Sequence, residues 1–421
     1  MTRCPEHPDS TFEFNLHKHF NDSEIIIKQS RNHRAGMTTD KPASRWLLLV
    51  AALLLVPLLA ACTGKGIGGT STGWNALVSD SGTVYVGTKE GEVKAFIDSE
   101  SGDVRESWVF PAPGSSIELE GVYNTPLVVG DLLYVSAQNG VLYALDKETG
   151  TITDKGWRRP EGEPQDLDPL IGGPAYDRIN ELVVVASEDG RLYGYDADTG
   201  ESIWSPFSAG DKIWSTPAIR DAVAYFGSHD KNIYAVSLAS GREIWSYPTG
   251  GVVAGRPLLV NNMVIAGSFD KKLYALDASD GSLVWEFEAN NWFWAGAVTN
   301  GQTIFAPNMN GKIYALDLDG NLEWEHDAGS SIVSRPVLLP SGLVVVNKKG
   351  KLSLLDVSTG AGRQRELSAL KLGDAEVKAP LVAEGESVYV GSQDRSFRRV
   401  EVKNGPVVLW CRHTEDGRCK N

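Results

Sequence analysis

The sequence predicts an all-β fold, an eight-bladed β-propeller of four-stranded antiparallel blades, and three observations carry that prediction. A five-residue phrase, Leu-Tyr-Ala-Leu-Asp at 142–146, returns at 192–196, 233–237, 273–277 and 313–317, with weaker copies at 93–98, 352–356 and 397–401. Its second position falls at residues 94, 143, 193, 234, 274, 314, 353 and 398, so the chain holds eight units 39 to 50 residues apart. The apolar residues alternate by two, without helical spacing, and tight-turn dipeptides separate the runs.

Each unit carries the same punctuation. A β-branched run ending in a small residue comes first, as in Val84-Tyr85-Val86-Gly87, Ala224-Tyr225-Phe226-Gly227 or Val388-Tyr389-Val390-Gly391. A turn follows, Glu90-Gly91, Asn139-Gly140, Asp189-Gly190 or Asn310-Gly311, where positive φ is needed to reverse the chain between strands. Four residues after the phrase's Asp stands a glycine (Gly150, Gly200, Gly281), and beyond it a tryptophan: Trp108, Trp157, Trp204, Trp245, Trp285, Trp324 and Trp410, the seventh unit lacking one. A proline opens most of the following units: Pro126, Pro174, Pro217, Pro257, Pro336 and Pro380. Four short strands per unit make one blade, and eight blades close a ring over residues 74–410.

The front of the chain reads as an address. Residues 46–61 form an apolar run preceded by Lys41 and Arg45; it is short for a spanning helix, which needs about 20 residues, and fits a signal-peptide core. It ends Leu59-Ala60-Ala61-Cys62, which resembles the lipobox of bacterial lipoproteins, and that resemblance implies lipidation of Cys62. Met37 would begin a signal of ordinary length, leaving 1–36 as an over-extended start or a disordered segment, 37–61 as the signal peptide and 62–73 as a Gly/Ser/Thr tether. The expected location is therefore outside the cytoplasm, lipid-anchored to a bacterial membrane.

Composition limits the chemistry. Across 421 residues the net charge is −14, with 40 basic against 54 acidic residues, which argues against a nucleic-acid partner. Four of the seven histidines lie in the first 33 residues. The other three, His229, His326 and His413, lie in separate units or the tail without metal-ligand spacing. The tail, 411–421, holds Cys411 and Cys419 around an Asp416-Gly417 turn, a candidate disulfide in an exported protein.

The phrase Tyr-Ala-Leu-Asp-x-x-(Thr/Ser)-Gly-x-x-x-Trp resembles the repeat of the PQQ-like, quinoprotein-type β-propellers, over essentially the whole mature chain. The resemblance implies that the tryptophan packs between blades and that the glycine lets the turn form beneath it. Two branches bracket the function. A PQQ-dependent dehydrogenase would have an adjacent Cys-Cys pair, calcium ligands and often a Cys-x-x-Cys-His haem motif; this sequence has neither cysteine motif. The outer-membrane assembly lipoproteins are similar to it in lipobox, tether, blade count and lack of insertions. The expectation is a non-enzymatic, monomeric envelope lipoprotein that binds protein, with no catalytic residue, cofactor or metal. The alternatives are a PQQ- and calcium-dependent dehydrogenase and a surface receptor for a sugar or peptide.

The candidate binding rim lies on the loops that enter each blade. Three residues before the repeat proline or its equivalent stand Tyr123, Ile171, Trp214, Ala254, Trp294, Val333 and Val377; one before it stand Arg256 and Arg335. Asn290-Asn291-Trp292-Phe293-Trp294 is the outlier, with three consecutive aromatics. Loop aromatics and arginines have the composition of an interaction hot spot, so Trp214, Arg256, Trp292, Phe293, Trp294 and Arg335 are the candidate rim, with Lys378 adding to a basic ring.

Overall fold

The computed structural model describes residues 75–98, 104–152, 156–160, 168–357, 366–415, 417 and 419. Cys62, the signal peptide, the tether and Trp74 lie outside the described residues. Among the described residues there are eight four-stranded sheets and no helix, so none is long and apolar enough to cross a membrane.

Every sheet is built from four consecutive strands. Blade 1 comprises β1 (Ala76–Asp80), β2 (Thr83–Gly87), β3 (Val93–Asp98) and β4 (Val104–Phe110), paired in that order. The first strands of the next six blades are β5 (Leu127–Val129), β9 (Ala175–Asp177), β13 (Ala218–Arg220), β17 (Leu258–Val260), β21 (Val298–Thr299) and β25 (Val337–Leu339). Blade 8 comprises β29 (Val382–Glu384), β30 (Ser387–Gly391), β31 (Ser396–Glu401) and β32 (Val407–His413). These first strands touch one another in sequence, and β1 meets β29, so the ring closes with the first strands around its channel. The last strand runs to His413, past the 410 boundary expected from sequence, and Cys411 therefore sits within a strand rather than a tail.

Apolar residues form eight clusters, each shared by two neighbouring blades. Burial on both faces explains why the second strands are continuously apolar, as in β10 (Leu182–Ala186), Leu-Val-Val-Val-Ala. Outer strands alternate instead, since one edge and part of one face meet solvent; β24 (Leu322–Asp327) is an example.

The tryptophans lock adjacent blades. Trp108, Trp157, Trp204, Trp245 and Trp285 donate their indole N–H to the carbonyls of Lys147, Ala197, Leu238, Ala278 and Leu318 on the next blade, at 2.9–3.1 Å. Each ring lies over a glycine of that blade. At Gly150, where φ is +69°, a Cβ would stand 2.2 Å from the Trp108 ring, so both the backbone and the space require glycine.

Candidate partner-binding face

The loops entering the blades and the hairpin turns between second and third strands share one end of the ring, stitched together by backbone hydrogen bonds. Val253 N–H donates to Ser228 O at 3.1 Å, Phe293 N–H to Ser268 O at 3.2 Å and Ile332 N–H to Asn308 O at 3.3 Å. The residue so held is driven into the blade: Val122, Ile213, Val253, Phe293, Ile332 and Val377 are all buried. Two corrections to the sequence reading follow. Phe293 is 1% exposed and packs on Gly267, where a Cβ would meet it at 2.4 Å, so it is a core residue and not part of the rim. The loop into blade 8 is one residue shorter than the others. Val377 there takes the buried place and Lys378 the place that Trp214 and Trp294 hold elsewhere.

Because successive side chains in an extended segment point opposite ways, burial of Phe293 turns Trp292 and Trp294 together toward the surface. Both stack on Phe269, with centroids at 4.9 and 5.3 Å and planes within 17°. Trp294 continues to Trp214 at 6.2 Å, and Trp214 meets His229 edge-on at 4.2 Å. The Trp214 indole donates to Glu188 at 2.7 Å, and Glu188 also pairs with Lys212 at 3.0 Å. The result is a part-exposed aromatic ridge spanning blades 3 to 6. Burial lowers the pKa of His229, against the pull of Asp211 and Glu188, so the ring at the end of the ridge is neutral near pH 7.

The sequence reading gives Phe269, His229 and Glu188 no place in the rim. All three occupy the first turn position of their hairpins, the column that reads Lys89, Gln138, Glu188, His229, Phe269, Met309, Lys348 and Gln393 around the ring. That column varies while the turn residues beside it repeat, and variability within a repeat was the available signal.

The basic ring is smaller than expected. Lys378 pairs with Glu376 at 3.0 Å, and Lys348 pairs with the same carboxylate at 3.2 Å. Arg335 Nε donates to Ala297 O at 3.4 Å. Burial, reinforced by the positive charge of Arg256, brings the Arg335 pKa down to about 10; burial alone lowers that of Arg256. At the far side of blade 8, Cys411 and Cys419 are joined in a disulfide with Cα atoms 5.6 Å apart. Among the described residues no group of three or more His, Cys, Asp or Glu is arranged to hold a metal ion.

The family model described as outer membrane protein assembly factor BamB matches residues 68–155, 171–270 and 229–418. The BamB of Escherichia coli K12 is 25% identical over 163 residues, 38% of each chain, and that of Yersinia pestis 26% identical over 236 residues, 49% of this chain and 56% of the other. A quinohemoprotein alcohol dehydrogenase, ADH-IIG of Pseudomonas putida, is 26% identical over 197 residues, 42% of this chain and 26% of the enzyme. The matched regions thus span well under two thirds of these relatives' own lengths. Among solved structures, BamB from Moraxella catarrhalis superposes with a TM-score of 0.58 at 16% identity, covering 70% of this chain and 88% of that one. The computationally designed Ika8 protein superposes with a TM-score of 0.64 at 16% identity, covering 79% and 97%. These two likenesses are of fold.

Proposed function

This chain belongs to the family of the outer membrane protein assembly factor BamB, and on that premise we propose that it is a non-enzymatic envelope scaffold whose aromatic ridge binds a protein partner. The observation that carries the reading is the continuity of Trp214, Trp294, Phe269 and Trp292 across blades 4 to 6, on loops anchored by the buried Phe293 and its equivalents. Large aromatic rings fixed before binding lose little freedom on docking, which is what makes them effective anchors. Processing at Cys62 would tether a monomeric ring to the membrane by its lipid. In a cell with an outer membrane the partner would belong to the machinery that assembles proteins there, as the relatives' name describes.

The test is cross-linked co-purification from membranes with the chain and with Trp292→Ala/Trp294→Ala. The double variant should keep its circular dichroism and lose most of its captured partner. Undiminished capture would remove the ridge from the function.

The likeness to the quinohemoprotein dehydrogenase favours a second reading, a PQQ- and calcium-dependent oxidoreductase. The donor set fits it poorly. The two described cysteines are bonded to each other, Cys411 from the outer strand of blade 8 to Cys419 beyond its end, and the loop positions at the channel supply arginines where a calcium ion would need carboxylates. Dye-linked alcohol oxidation on titration with PQQ and Ca²⁺ would restore this reading.

A further inference from the structure

The residue just before each blade's first strand region stands at the mouth of the channel. In seven blades these residues are Thr125, Gly173, Thr216, Arg256, Gly296, Arg335 and Ala379. Five are small. The two arginines enter blades 5 and 7, and blade 6 between them offers Gly296, whose backbone approaches Arg256 so closely that a Cβ there would stand 2.4 Å from the Arg256 carbonyl oxygen. Arg335 reaches the same segment of blade 6, where its Nε donates to Ala297 O at 3.4 Å. Arg256 and Arg335 thus flank the Gly296-Ala297 segment, one against Gly296 and the other bonded to Ala297, and the positive charge of Arg256 is felt at Arg335.

Nothing in the described chain neutralises them. Lys212 is matched by Glu188, and Lys348 and Lys378 by Glu376, on the surrounding loops. Arg256 and Arg335 form no ion pair with any described carboxylate, although the chain carries 14 more acidic than basic residues. Arg256 keeps an exposed surface although protein surrounds its guanidinium closely enough to lower its pKa, and Arg335 is half-buried, so a ligand in the channel can reach both. Two like charges held together where water is partly displaced repel each other, and a counter-anion placed between them turns that repulsion into attraction. The planar guanidinium presents paired N–H donors whose spacing matches the oxygens of a carboxylate or phosphate.

We propose that Arg256 and Arg335 form an oxyanion site at the mouth of the central channel, which holds one carboxylate or phosphate group of a small ligand. Trp294, whose carbonyl lies against Gly255 beside Arg256, places a flat apolar surface on the same loops, suited to the organic part of such a ligand. The site does not depend on the identity of the protein partner, and its test leaves the ridge tryptophans untouched, so either idea can fail alone.

The test is calorimetric titration of the purified full chain at constant ionic strength with two probes, inorganic phosphate and 3-phenylpropionate. Saturable binding of at least one is expected, weakened about tenfold or more in Arg335→Gln and in Arg256→Gln, a loss of roughly 1.4 kcal/mol. Binding of phosphate alone assigns the site to phosphorylated ligands, and binding of phenylpropionate alone to organic carboxylates. If Arg335→Gln does not fold, Arg256→Gln, at the more exposed of the two positions, carries the comparison. Absence of binding by both probes up to on the order of 10 mM, or affinities unchanged in the folded variants, overturns the proposal.

Discussion

Trp410 on the last blade donates its indole N–H to the carboxylate of Asp98 on the first at 3.0 Å, where five other inter-blade tryptophans donate to backbone carbonyls. The same carboxylate accepts Tyr389 Oη at 3.0 Å and pairs with Arg399 at 2.9 Å. This charge-centred arrangement has a topological cause. All four strands of blade 1 come from one end of the described ring and all four of blade 8 from the other, so no shared sheet closes it. Side chains close the seam instead: Phe96 on Phe397 at 4.8 Å, Lys94 to Thr414 O at 2.9 Å, and Arg395 to Glu90.

Asp98→Ala would therefore leave the buried Trp410 indole N–H without its acceptor and the Arg399 guanidinium without its carboxylate, while Tyr389 Oη keeps Glu384 at 2.9 Å. Removing one member of a buried, hydrogen-bonded charge pair costs roughly 3–5 kcal/mol, and a loss in that range is expected in urea unfolding. Trp410→Phe should cost less, and the double variant less than the sum of the two, because both lose the same hydrogen bond. Strict additivity would show that Asp98 and Trp410 do not act together.

The seventh blade offers the converse experiment. In blade 5, Ala275 of β19 (Lys272–Asp277) faces Trp285 of β20 (Leu283–Glu288) just before a register shift. The matching pair in blade 7 is Leu354 of β27 (Lys351–Leu355) with Ser368 of β28 (Glu366–Lys371). Ser368 thus stands where the tryptophan would be, its hydroxyl buried without a partner and 3.8 Å from the Cβ position of Gly405, the glycine that awaits a ring. Ser368→Trp should fill this place and stabilise the ring by about 1–2 kcal/mol from apolar area removed from water. A destabilised variant would mean that the blade 7–8 seam has already closed up.

Repetition made the ring legible in the sequence, and chemistry specific to one blade was hidden by the same repetition. The eight units, their turns and their tryptophans each had copies to be checked against. The turn glycine did not extend to every blade: Lys231, Lys271 and Arg395 adopt φ of 73°, 77° and 68° at the place Gly140, Gly190 and Gly311 hold elsewhere. There the preceding Asp caps the turn through the backbone N–H two residues on, at 2.9–3.1 Å, which helps offset the strain of a side chain in that region. The rim was read as composition, but direction decides it. Phe293 and Trp294 are adjacent and chemically alike, and only the hydrogen bond from Phe293 N–H to Ser268 O sends one into the core and the other outward. Nothing in the order of residues marks Ser268 as that partner until the hairpin and the loop are folded together.

His326 ties stability to pH. It lies on β24 at 1% exposure, with Nε2 3.4 Å from the Glu366 carboxylate, which Lys351 already holds at 2.9 Å; Asp327 is its other charged neighbour. Burial lowers its pKa below the ordinary 6.5; Glu366 and Asp327 oppose the shift without reversing it, and Lys351 adds to it. His229 is shifted in the same direction, chiefly by burial. The unfolded chain therefore takes up these protons first as pH falls. Their contribution to stability is fully present above pH 6.5 and is lost as pH drops toward the folded-state values, by at most about 1.4 kcal/mol per pH unit for each histidine. Urea unfolding between pH 7 and 5.5, above the range where ordinary carboxylates titrate, should show a falling midpoint. His326→Gln should make that fall shallower while leaving part of it to His229. An equally steep fall in the variant would show that His326 is protonated as readily in the folded ring as in the unfolded chain.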